Sequence, residues 1–62
     1  MNLTVYFKTN PRSWIVGALK ETEADIMDIS STPSGEWRVK LWAHGIDDEK
    51  KVKQILSHNG GT

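Results

Sequence analysis

Two tryptophans, Trp37 and Trp42, stand five residues apart in the run "EWRVKLWAH". Trp37, Val39 and Leu41 alternate with Arg38, Lys40 and Trp42, which is the period-2 signature of a β-strand. Successive strand residues point to opposite faces, so an odd spacing sends the two indoles to opposite sides of one sheet. A chain of 62 residues is one domain, residues 1–62, with a thin core. Trp37, Val39, Leu41 and Ala43 can enter that core. Arg38, Lys40, Trp42 and His44 are left on the other face.

The N-terminal run "NLTVYFK" also alternates, placing Leu3, Val5 and Phe7 on one side and Thr4, Tyr6 and Lys8 on the other. "TNPRS" follows, with Pro11 preset for a turn. "DIMDISS" and "EWRVKLWAH" flank the turn "TPSGE" as a hairpin. Pairing Ile29 with Val39 and Met27 with Leu41 aligns the apolar side, and the same register sets Asp28 beside Lys40 and Ser30 beside Arg38. In "GIDDEKKVKQILSHNGGT" the stripe Val52, Ile55, Leu56 predicts a helix over 47–58. Asp47 is the expected N-cap, Ile46 a staple, Glu49–Lys53 an i, i+4 pair, and Asn59-Gly60-Gly61 the stop, with 59–62 expected to fray.

"SWIVGALKETEAD" admits two readings. As a strand over 13–20 it pairs Phe7 with Trp14, Val5 with Val16 and Leu3 with Ala18 across the proline turn. As a helix over 11–23, Asn10 caps it, Pro11 takes the first position, and Trp14, Ile15, Ala18, Leu19 and Thr22 form one stripe. Against the helix stand Gly17, which costs about 1 kcal/mol relative to alanine in a helix interior, and the lack of a stop signal near residue 25. The strand reading is the one taken forward. The expected fold is α+β: an antiparallel sheet of three to four strands (2–8, 13–20, 25–31, 36–44) with a C-terminal helix on one face. The alternative is βαββα.

The second face carries the functional expectation. In the strand reading Tyr6, Ile15, Leu19 and Ile26 gather near Trp42, an apolar patch suited to self-association. The expected binding residues, for a second copy or another protein, are Tyr6, Ile15, Ile26, Arg38, Lys40 and Trp42. In the helix reading the face is open with Tyr6, Lys8, Arg38, Lys40, Trp42 and His44, where aromatics between cations suit a single-stranded nucleic acid.

Eight basic and eight acidic side chains cancel, which disfavours a general polyanion binder. There is no cysteine, so disulfides, thiolate metal sites and thiol nucleophiles are excluded. No run approaches the ~18 apolar residues of a membrane span, and "MNLTVYFK" lacks a signal peptide's pattern. A cytoplasmic location is the expectation. "HGIDD" clusters His44, Asp47 and Asp48, but helix-start roles account for the aspartates and a metal needs more convergent ligands. No cofactor and no enzyme activity are expected. The small size suits an accessory protein of a phage or mobile element.

In the helix reading the order strand–helix–strand–strand–helix resembles half of a ferredoxin-type fold. "ALKETEADIMDIS" is similar to the helix-to-strand stretch of small-molecule-sensing ACT domains. That resemblance implies a regulatory domain as a further alternative. The fourth strand is absent and Glu23 or Ala24 replaces the glycine such domains favour, so no ligand site is carried over.

Overall fold

A computed structural model describes residues 1–62 in full. The elements are β1 (Asn2–Phe7), α1 (Ile15–Ala18), β2 (Asp25–Ser31), β3 (Trp37–Trp42) and α2 (Ile46–His58). The fold is therefore α+β, with a three-stranded antiparallel sheet in the order β1-β3-β2. This is the split β-α-β arrangement, in which the third strand inserts between the first two.

The segment 13–20 is not a strand. Asn10 Oδ1 accepts the Arg12 N–H at 3.0 Å, and the Pro11 carbonyl accepts N–H bonds from Trp14 and Ile15. Helical bonds then run from Ala18 N–H to Trp14 O and from Leu19 N–H to Ile15 O. Thr22 closes the segment, bonding the Leu19 carbonyl through both its N–H and its hydroxyl. The expected partner of this segment, β1, pairs instead with β3, matching Leu3 with Leu41, Val5 with Val39 and Phe7 with Trp37. That register offers Leu opposite Leu where the local hairpin offered Leu opposite Ala. The helical turn also lets two large side chains, Ile15 and Leu19, enter the core, and leaves Val16 68% exposed. Phe7 and Trp14 still meet, edge to face at 5.3 Å between ring centroids.

The hairpin of β2 and β3 has the expected pairs Ile29–Val39, Asp28–Lys40 and Ser30–Arg38. Leu41, however, faces Ile26 rather than Met27, because a bulge interrupts the register between Ile26 and Asp28. The extra residue turns Met27 out to 64% exposure.

α2 begins one residue earlier than its sequence signals suggest. Gly45, at φ 115°, takes the N-cap position that Asp47 was expected to fill, a backbone conformation only glycine adopts without strain. Ile46, at 65% exposure, makes no staple. Glu49 and Lys53 form their ion pair at 2.8 Å. The helix ends in a Schellman motif: Gly61 N–H bonds Leu56 O, Gly60 N–H bonds Ser57 O, and Gly60 has φ 87°. Residues 59–62, expected to fray, fold back on the sheet. Gly61 lies against Val5 and Phe7, and Thr62 N–H bonds the Tyr6 carbonyl at 2.9 Å.

The buried apolar residues form one cluster on one side of the sheet: Leu3, Val5 and Phe7 of β1, Val39 and Leu41 of β3, Ala43, Ile15, Leu19, and Val52 and Leu56 of α2. Trp37 lies on this side, half-buried, with the Arg12 guanidinium 5.1 Å over its ring. No helix is long and apolar enough to cross a membrane.

Candidate interaction face

The other side of the sheet has no helix over it, since α1 and α2 both contribute to the single cluster on the first. The strand registers set its side chains in three rows. Tyr6, Arg38 and Ser30 form the first; Thr4, Lys40 and Asp28 the second; Asn2, Trp42 and Asp25 the third. Trp42 is 41% exposed, and Met27 stands free in the bulge. Asn2, Thr4, Met27 and Lys40 border a shallow groove of about 350 Å³. The two tryptophans of β3 thus lie on opposite faces, as their spacing demands.

Charge on this face is mixed. Arg38 and Lys40 run down the central strand, with Asp28 and Asp25 on β2 beside them. The chain's two ion pairs lie outside the Arg38–Lys40–Asp28 group, at Glu49–Lys53 and at His44 Nε2–Asp25 Oδ2, 2.9 Å apart and exposed. Lys40 and Asp28 therefore carry unpaired charge into solvent, and the half-buried Arg38 has no ion-pair partner either. Arg38 Nε and Ser30 Oγ, neighbours in the first row, are enclosed and have no hydrogen-bond partner.

Four of the expected binding residues, Tyr6, Arg38, Lys40 and Trp42, come together here. Ile15 and Ile26 do not. Ile15 is fully buried on α1, and Ile26 faces the core side opposite Leu41, packed against the cluster. Their assignment to the Trp42 face depended on the 13–20 strand and on an unbroken β2, and it falls with both. Met27 replaces them as the apolar contribution of β2. The signal was present in "DIMDIS", where Ile26, Met27 and Ile29 break strict alternation as a bulge does.

Beside the third row, Asp48 ties the connections together. Its Oδ2 accepts the His44 N–H at 3.0 Å and its Oδ1 accepts the Glu23 N–H at 2.9 Å. The His44 backbone bond, then the Glu23 bond, lower its pKa below the ordinary aspartate value of 3.8. The aspartate that matters at this helix start is thus Asp48, and it serves both the preceding loop and the α1–β2 connection. No group of three or more His, Asp or Glu stands close enough to hold a metal.

Comparison with protein-family models, with curated proteins and with solved structures found no match for the chain.

Proposed function

We propose that the chain is a non-catalytic interaction module that docks a protein partner through the open sheet face around Trp42. The observation that carries this reading is the exposed indole of Trp42 on a sheet side that receives neither helix, with the apolar Met27 and the half-buried Tyr6 on the same side. Aromatic residues ringed by polar ones are the usual anchors of protein interfaces. The charge pattern supports a protein occupant. Asp28 sits directly across from Lys40, and Asp25 beside Trp42, so a phosphate backbone drawn to Lys40 would meet repulsion beside it, and only Arg38 has no acid in its row. A protein surface bearing both signs complements the face better. The competing occupant, a single-stranded nucleic acid stacked on Tyr6 and Trp42, is favoured only by the cations of β3.

Hydroxyl-radical footprinting tests the proposal without knowledge of the partner. Tyr6, Met27 and Trp42 are expected to be protected in cells that produce the chain, relative to the dilute purified protein. His58, exposed at the far end of α2, serves as the unprotected control. Equal reactivity of the face residues in the two settings overturns the reading.

A further inference from the structure

We propose that two copies of the chain join edge to edge through β1, giving one continuous six-stranded sheet. The inference rests on the backbone, and on a different surface from the Trp42 face. Met1 and Ala43 exchange hydrogen bonds in both directions, which fixes the parity of β1: Met1, Leu3, Val5 and Phe7 direct their N–H and C=O groups toward β3. Asn2, Thr4 and Tyr6 direct theirs outward, as the bond from Thr62 N–H to Tyr6 O shows independently. The tail covers only that last carbonyl. Asn2 and Thr4 keep a ladder of unmatched donors and acceptors.

The two edges of the sheet are treated differently. On β2 the Arg12 guanidinium bonds the Ile29 carbonyl, a bulge sits at Met27, and Asp25 and Asp28 add charge. These are the devices that keep an edge from pairing. Between Asn2 and Phe7, β1 has no bulge, no proline and no charged side chain. It is the edge left able to accept a strand.

The surroundings select a second copy as that strand. In an antiparallel pairing with Asn2 opposite Thr4 of the second copy, Leu3 falls opposite Leu3 of the second copy and Met1 opposite Val5. The Tyr6–Thr62 bond survives in both. Beside this edge, between β1 and α2, lies an apolar groove of about 230 Å³ lined by Leu3, Val5, Leu56, Lys53, Ser57 and Gly61. Met1, 41% exposed in the single chain, is carried to the groove of the other copy. Two charged groups stand near the seam, and each has a partner within its own copy: the Met1 ammonium bonds the Ala43 carbonyl and Lys53 is matched by Glu49, while Asn2 and Thr4 are uncharged. Four backbone hydrogen bonds and two methionine contacts make a small interface, of the transient class.

Sedimentation of the purified chain from micromolar to millimolar concentration tests the proposal, with Thr4→Pro as the discriminating variant. Proline at position 4 removes an outward N–H and no bond to β3, a change edge strands tolerate. The wild type is expected to shift to dimer, and Thr4→Pro to sediment as monomer at the concentration where the wild type is half dimeric, with an unchanged far-UV CD spectrum. Should Thr4→Pro not fold, Asn2→Cys mixed with Thr4→Cys provides the second measurement, since the chain has no other thiol. Under mild oxidation the mixture is expected to form the Asn2–Thr4 heterodisulfide faster than either variant alone crosslinks. A wild type monomeric to millimolar concentration overturns the proposal. So does a dimer that survives Thr4→Pro but is lost in Trp42→Ala, and so does crosslinking without preference for the mixed pair.

Discussion

Ile15 and Val16 are adjacent, both β-branched, and the two readings of residues 13–20 rank them oppositely. In a strand, Val16 would face Val5 and Ile15 would face away. In the structure Ile15 is fully buried and Val16 exposed. Replacing a buried isoleucine by alanine costs about 2–5 kcal/mol, from lost transfer energy and the cavity left behind. A 62-residue domain has a total stability of about 3–9 kcal/mol at typical per-residue values. Its unfolding entropy, at about 2.1 cal/mol/K per residue, is near 130 cal/mol/K, so each kcal/mol moves Tm by roughly 8 °C. Ile15→Ala is therefore expected to lower Tm by at least about 15 °C and to leave little folded protein at 37 °C if the cost lies near the top of its range. Ile15→Val, which deletes one methylene, is expected to lower it by about 4–12 °C. Val16→Ala is expected to move Tm by less than about 4 °C in either direction, since its side chain is in water and alanine is the better helix former. Far-UV CD melts of the three variants decide the matter. Val16→Ala melting as low as Ile15→Ala would refute the helical turn and the core built on it.

Gly61→Ala places a Cβ 2.7 Å from Val5 Cγ1 and 2.8 Å from the Leu56 carbonyl, and is expected to cost about 1–3 kcal/mol by denaturant titration; no change would mean the tail does not rest on β1. Because Asp48 titrates below its unfolded value near 3.8, its contribution is fully present above that pH and fades as pH falls through the lowered folded value. Asp48→Asn should thus lower the urea midpoint at neutral pH and narrow the gap to wild type under acid conditions, whereas a gap independent of pH would contradict the clamp. Trp42→Ala is expected to cost about 1 kcal/mol or less, and an Ile15-sized loss would place the indole in the core. Titration with a single-stranded oligonucleotide at low salt is expected to leave tryptophan emission unquenched. Quenching that fades with salt and disappears in Trp42→Ala would move the face to the nucleic-acid reading.

The alternation in "NLTVYF" and "WRVKLW" made two strands and their faces readable, because period-2 burial is written residue by residue. The α2 stripe was equally plain, with Val52 and Leu56 fully buried. The segment from Asn10 to Thr22 was not decidable locally. Trp14, Ile15 and Val16 favour a strand, Asn10-Pro11 favours a helix start, and the choice is made by β3 taking the partner position beside β1. That competition involves residues thirty to forty apart in the chain and leaves no mark in a short window. The site inherited the same limit. Tyr6, Arg38, Lys40 and Trp42 follow from strand parity alone and share a face. Ile15 and Ile26 required the undecided segment and the unseen bulge. The cap slipped from Asp47 to Gly45 because a positive φ at Gly45 starts the helix before the acidic run.

One-sided burial separates the chain's letters into two sets with independent duties. Odd positions such as 3, 5, 7, 39 and 41 decide whether the polypeptide folds. Even positions such as 4, 6, 38, 40 and 42 project from the opposite surface. Single changes in the even set would therefore alter what the surface recognises at a cost of about 1 kcal/mol or less each, below that of truncating the odd set. A lineage carrying this scaffold can change its target by point substitutions without first acquiring surplus stability, and a designer can treat the same residues as an editable palette.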